Sequence, residues 1–326
     1  MFVDRLAAAL SERSHAVTVF TFAPPAEPRS YAVQALRPRA AADHRIVRLY
    51  LAPWLLNLRP FDRRFDVAHL HGDDWFYIYR RLPTVRTFYG SALMEAVTAT
   101  ALRRKVHQSA IFALELIANR LASASYGIAP DSEMLFQADG ILSCGVTPPA
   151  APRRPEATPT ILFVGTWEGR KRGKALHRTF QEHVRARLPD AQLWMVSDYA
   201  EPGPGVVWYQ RPSEAELADL YGRAWVFSLP SSYEGLGLPY LQAMANGIPV
   251  VATPNPGAQY VLEAGRSGVI VDLEDLGEAL VQTLKDGALR EKLQTAGWRR
   301  IEDFSWERVV DEYERAYATA IQRWHS

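Results

Sequence analysis

The sequence has a single cysteine, Cys144, so no disulfide can form within the chain, and a reducing compartment fits. It has no excess of either charge: 37 lysines and arginines stand against 36 aspartates and glutamates, a formal charge of +1. That balance excludes a partner held mainly by phosphate counterion release, so no nucleic acid is expected. Long apolar runs are missing too. The longest, over 49–58, contains a proline and falls short of the ~20 residues of a membrane span. No charged start, apolar stretch and small-residue cleavage site opens the chain, so no secretion signal is read. Glycine (20) and proline (22) stay near ordinary usage, which excludes collagen-like and low-complexity chains. What remains is a soluble protein, expected in the cytoplasm.

The 326 residues suggest two domains at ~150 residues each. Residues 1–10 have helical periodicity, with Phe2, Leu6 and Leu10 on one face. Strands are predicted over 17–22, 66–71, 84–89 and 126–129, with a helix over 101–122. A stretch over 147–159 carries five prolines and reads as a domain boundary. Alternation then restarts: strands over 161–164, 193–196, 225–229, 248–252 and 268–271, and helices over 174–188, 213–224, 239–246, 276–297 and 306–324. Strands alternating with helices imply doubly wound parallel sheets, which bind ligands beyond the carboxyl ends of their strands. Two such domains facing each other place a ligand in the cleft between them.

Two loops of this kind carry chemistry. After the strand over 161–164 come Gly165, Arg170, Lys171, Arg172 and Lys174, opening onto a helix, a pattern suited to an anion such as a diphosphate. It is not a Walker A loop, because Glu168 occupies the leading glycine position and Ala175 the serine or threonine position. A solvated basic helix start is the alternative. The second loop holds Glu234, Gly235, Leu236, Gly237 and Leu238 before a helix. Its glycines permit close backbone approach and its amides can hold an oxyanion. A carboxylate there suits neutral hydroxyls, as a sugar offers; an ordinary strand-to-helix turn is the alternative. As a Rossmann fingerprint the segment fails, since Tyr240 stands where the third glycine belongs.

The run EGLGLPYLQAMANGIPVVAT resembles the signature of retaining, GT-B-fold family 4 glycosyltransferases, E-x7-E within EGFGLPxxEAMAxGxPVVAT. In the same order along the chain, SHAVTVFT, FDVAHLH, ILSCGVT, VGTWEGRKRGKAL and FSWERVVDEYERAY resemble that family's other segments. The resemblance implies an α/β protein of two doubly wound Rossmann-like domains facing a cleft. An N-terminal acceptor-side domain would cover 1–150, a nucleotide-sugar-binding domain 151–305, and a helix over 306–326 would cross back to the first. Members begin with a strand and a glycine-containing loop ahead of the helix that residues 1–10 represent. The resemblance therefore implies an N-terminal domain without its first strand: either the start lies upstream or the domain is compromised.

Carried over, the resemblance gives Glu234 the donor sugar hydroxyls, and the amides around Gly235, Leu236, Gly237 and Leu238 the diphosphate or sugar. Arg172, or Lys171 in the other register, would neutralise the leaving group, with Gly165, Arg170 and Lys174 in the same donor loop. No cofactor or metal is implied beyond the nucleotide diphosphate sugar as co-substrate, because fixed cations and amides stabilise the leaving group. The acceptor, whether glycan, lipid-linked or small molecule, is not identified. Three departures stand out. Gln242 replaces the second glutamate, which holds ribose hydroxyls. Tyr89 replaces the histidine before Gly90, near the transferred sugar, and Gly165 is followed by Thr166 rather than arginine.

Other candidates are weaker. His69 and His71 share one face of a strand, so a metal pair is conceivable, but packing or acceptor-pocket lining is favoured. Asp73, Asp74 and Trp75 could touch an acceptor. The 49–58 stretch and Arg103, Arg104 and Lys105 could lie on a membrane surface, although ordinary solvation is favoured at this net charge. Cys144 reads as buried and inert, and Trp306 as an anchor of the final helix. A hexosyltransferase-type enzyme is the leading reading. Its rivals are a catalytically degenerate GT-B-fold binding or scaffold protein and, more remotely, a nucleotide-sugar epimerase.

Overall fold

The computed structural model describes residues 2–21, 24–36, 54, 57–58, 64–72, 77–78, 81–98, 102–149 and 152–326. Asp73, Asp74 and Trp75, and the 49–58 stretch apart from Trp54, Asn57 and Leu58, lie outside the described residues. The chain divides into two compact units, Met1–Gly145 with Trp306–Ser326, and Val146–Ser305.

In the first unit, Thr18–Thr21 (β1) pairs with Ala32–Ala35 (β2). Ala68–His71 (β3), Thr84–Phe88 (β4) and Ala124–Gly127 (β5) form a second sheet in chain order, and every pairing is parallel. β4 is central and buried at all five residues. The strand predicted as buried over 17–22 is only half-buried, because among the described residues β1 has β2 as its one bonded neighbour. Helix Phe2–Glu12 turns Leu6 and Leu10 inward, and helix Trp306–His325 turns Val309, Val310, Tyr313, Ala316 and Ala320 inward at helical spacing. Both stripes meet Val85, Ala124 and Leu142 in one core. At the surface Arg13 donates to Asp311 and, at 3.0 Å, to Glu314, tying the two helices together. Trp306 stacks on Phe2 with centroids 5.7 Å apart.

The second unit is a parallel sheet of Thr160–Val164 (β6), Gln192–Val196 (β7), Val206–Tyr209 (β8), Val226–Leu229 (β9), Val250–Ala252 (β10) and Val269–Ile270 (β11). Its order is β11-β10-β9-β6-β7-β8. The central strands, TILFV and VFSL, are apolar runs buried over nearly their full length, as strands covered on both faces require. The order reverses between β6 and β9, and ligands bind at such a switch point, beyond the carboxyl ends.

The helices depart from the sequence reading in instructive ways. The helix predicted over 174–188 begins at Gly173 and passes through a π turn, Phe180–Val184. Helix Glu214–Arg223 opens with a capping box in which Ser213 and Glu216 bond each other's backbone amides. The single helix expected over 276–297 is two, Leu276–Lys285 and Gly287–Ile301. Asp286 leaves helical geometry, and its carboxylate accepts from Leu289 N at 2.9 Å to start the second helix. Unbroken periodicity on both sides hides that cap. Strands β2 and β8 and helices Ala92–Thr98, Pro130–Phe136 and Pro256–Val261 were not anticipated, being short, or exposed in the case of β2. Among the described residues, no helix is long and apolar enough to cross a membrane.

Candidate functional site

The loops leaving β6 and β9 meet at the switch point. After β6, Gly169–Lys171 forms a 3-10 turn, and Arg172 takes a left-handed conformation (φ 55°) before the helix starts at Gly173. After β9, the chain runs through Ser231 and Glu234 to Gly237, which caps helix Leu238–Ala245. Backbone bonds knit the loops together: Ser232 N donates to Arg170 O at 2.8 Å, and Gly257 N donates to Glu234 O at 2.8 Å. Two glycines are sterically required. A Cβ on Gly165 would lie 2.7 Å from the Phe163 ring and 3.1 Å from Lys171. Gly237 sits at φ 79°, and a Cβ there would strike Tyr240.

This architecture brings Glu234, Arg170 and Lys171 together. Glu234 is 5% exposed. Its Oε1 lies 2.9 Å from Arg170 Nη1 and 2.9 Å from Lys171 Nζ, and accepts from Ser231 Oγ at 2.8 Å. Arg170 also donates to Tyr233 O at 2.8 Å. The sequence suggested a lone carboxylate; the fold gives it two cations. Arg172, one residue on, does not join the cluster and lines a cavity of about 390 Å3 with Ser232, Thr253, Asp272 and Glu274. Lys174 is exposed on the helix's first turn, while Leu236 is buried and Leu238 exposed. Gln242 is exposed and its Oε1 accepts from Tyr221 Oη at 3.3 Å. Asp272, Glu274, Ser231 and Tyr221 were missed by sequence reasoning. The strand-end rule, applied to β11 as well as to β6 and β9, would have pointed to the first two.

The first unit gathers a different set at the ends of β3 and β4. His71 Nδ1 and Tyr89 Oη are 2.6 Å apart. The His71 ring stacks on His69, centroids 3.8 Å apart. His69 is tied on both sides, to Thr87 Oγ1 at 2.8 Å and Tyr317 Oη at 3.0 Å. Burial pushes His71 down to about 4, and burial together with the neighbouring His71 holds His69 well below the usual histidine range, so both rings are neutral near pH 7. Desolvation by the surrounding groups raises the phenol of Tyr89. Gly90 follows at the same loop. Among the described residues, no group of three or more histidine, cysteine or acidic side chains could hold a metal ion, and the two histidines bond to hydroxyls instead. Cys144 is buried, with its thiol pushed up to about 12.

Residues 1–134 match the model of Glycosyltransferase Family 4, and residues 158–286 match that of Glycosyl transferases group 1. The O-antigen chain mannosyltransferase B of Escherichia coli is 30% identical over 172 residues, covering 48% of this chain and 45% of that protein. The chain thus spans less than half the length of that curated relative. The phosphatidyl-myo-inositol mannosyltransferase of Mycobacterium leprae is 27% identical over 281 residues, covering 79% of this chain and 74% of its own. Among solved structures, sucrose-phosphate synthase from Thermosynechococcus elongatus superposes with a TM-score of 0.78 at 20% identity, over 97% of this chain and 92% of that one.

Proposed function

We infer that the chain, which belongs to the group 1, family 4 glycosyltransferases and has their GT-B fold, moves a sugar from a nucleotide diphosphate sugar onto an acceptor hydroxyl. The relatives named above include transferases of mannose, which supports a hexosyl donor here. The observation that carries the reading is the Glu234 carboxylate gripped by Arg170 and Lys171 at the switch point of the second sheet. A diphosphate brought to this loop meets Arg170, Lys171 and Arg172, and the arriving sugar offers Glu234 hydroxyls in exchange for the cations it releases.

On this reading transfer proceeds with retention and without a metal. The bond from the anomeric carbon to the phosphate oxygen breaks while the acceptor oxygen bonds the same face of that carbon. The departing phosphate oxygen takes the acceptor proton, and the fixed cations stabilise the charge left on the diphosphate. His71, Tyr89 and Gly90 would serve the acceptor or the transferred sugar through uncharged hydrogen bonds. Peripheral membrane contact is not required by this reading.

Gln242 favours a second reading, a protein that binds nucleotide sugars without turning them over. It is exposed, bonds Tyr221, and lacks the charge of the family's second glutamate. A panel of sugar nucleotides separates the two readings. Thermal shift followed by nucleoside diphosphate release should give binding with turnover. Binding without turnover would favour the second reading, and absence of binding to every nucleoside diphosphate would overturn both.

A further inference from the structure

The cavity beside Arg172 lies within the Val146–Ser305 unit, where the loops after β6, β9, β10 and β11 converge. Its volume, about 390 Å3, lies within the ~300–1,000 Å3 of small-molecule sites. Two chains of contacts connect it to the Glu234 cluster. Thr253 Oγ1 donates to Ser231 O at 2.8 Å, and Ser231 Oγ donates to Glu234 at 2.8 Å. Ser232, which lines the cavity, donates its amide at 2.8 Å and its hydroxyl at 3.4 Å to Arg170 O, the carbonyl of an ion-paired arginine.

The wall is chemically uneven. Ser232 and Thr253 supply hydroxyls and Arg172 one cation, while Asp272 and Glu274 face them from the loop after β11. Both of those carboxylates are exposed, and neither joins an ion pair among the described residues. Carboxylates without cations accept hydrogen bonds from neutral hydroxyls and repel further negative charge. If Arg172 is turned to a diphosphate, the charge left on this wall is that of two carboxylates.

We propose that this cavity takes the sugar ring of the donor, and that Asp272 and Glu274 make it select an uncharged ring over a uronate. The inference rests on the donor-site reading above and adds the class of sugar. A ring joined to a diphosphate at Arg170 and Lys171 lies beside those cations, and the cavity lined by Arg172, the next residue along, is a space open to it. A uronate would bring a third carboxylate against two unpaired ones. Neutral hydroxyls would find two strong acceptors and two hydroxyl partners.

Calorimetry with four paired ligands tests the inference: UDP-glucose against UDP-glucuronate, and GDP-mannose against GDP-mannuronate, with UDP and GDP alone as controls. The neutral member of the accepted pair should bind at least about tenfold more tightly, or 1.4 kcal/mol. The preference should shrink as salt is raised, because the discriminating charges are exposed. In the double variant D272N/E274Q the uronate should gain most of that factor while UDP or GDP alone binds as before. Both substitutions are isosteric and at the surface, so folding should survive, and circular dichroism checks it. Equal binding of the two sugars by the unaltered protein, or a preference that persists in the double variant, would overturn the inference and leave the donor site standing. Failure of UDP, GDP and all four sugars to bind would overturn the donor site along with it.

Discussion

At the carboxyl ends of β6 and β9, a buried carboxylate is paired with two cations; at the carboxyl ends of β3 and β4, the rings that meet are uncharged, and the buried Arg86 guanidinium is turned to a backbone carbonyl, donating to Gly72 O at 3.2 Å. Glu234 holds two cations in the first place. In the second, His71 and Tyr89 share a hydrogen bond, and burial keeps both imidazoles of the stack uncharged. The difference matches the two demands of sugar transfer. A leaving diphosphate needs fixed cations, because charge develops there. An acceptor or sugar hydroxyl needs donors and acceptors with no net charge, which neither attract nor repel the phosphates.

The largest expected effect tests the charged side. Glu234→Gln should lower transfer by at least ~10²-fold, since the donor sugar loses its charged acceptor. Transfer at the unaltered rate would show that Glu234 does not serve the sugar. Next, Lys171→Ala should weaken nucleoside diphosphate binding ~10-fold or more, and the loss should narrow at high salt. On the neutral side Tyr89→Phe should cost less, about 3- to 10-fold in kcat/KM, with nucleoside diphosphate affinity untouched. A fall in diphosphate affinity would erase the contrast between the units. Gln242→Glu should leave transfer intact or improve it by a few fold, because charge assistance strengthens bonds to ribose hydroxyls.

Acidity offers one more probe of the neutral side. An imidazole pushed from 6.5 to about 4 binds its proton more weakly when folded, so the unfolded chain holds more protons between those values. Stability should therefore fall as pH drops from about 6.5 toward 4, by roughly 1–3 kcal/mol for this group. His71→Asn should flatten that slope in thermal melts, and an unchanged slope would place the titrating group elsewhere.

The sequence made much of this legible, for identifiable reasons. The fold class followed from apolar strands such as ILFV and VFSL alternating with helical periodicity, because buried parallel strands need continuous apolar runs. The EGLGLP run was readable because a left-handed Gly237 and a carboxylate on one loop impose local constraints on residue type. The ion pairs of Glu234 were not readable, since Arg170 and Lys171 lie more than sixty positions away and meet it only through the sheet order. Asp272 and Glu274 were within reach of the strand-end rule applied to β11. The shared strand face of His69 and His71 was legible, but their ties to Thr87 and Tyr317 were not, because those partners meet them only through the folded sheet and the last helix. The break at Asp286 was hidden by periodicity on both sides of one cap.

On the proposed reading, Glu234 holds Arg170 and Lys171 until a donor takes them. Titration of free UDP and GDP into Glu234→Gln tests it most directly, because these ligands have a diphosphate but no sugar. The variant should bind the accepted nucleoside diphosphate about 3- to 10-fold more tightly than the unaltered protein, since two cations lose their competitor. Equal or weaker binding by a correctly folded variant would contradict it.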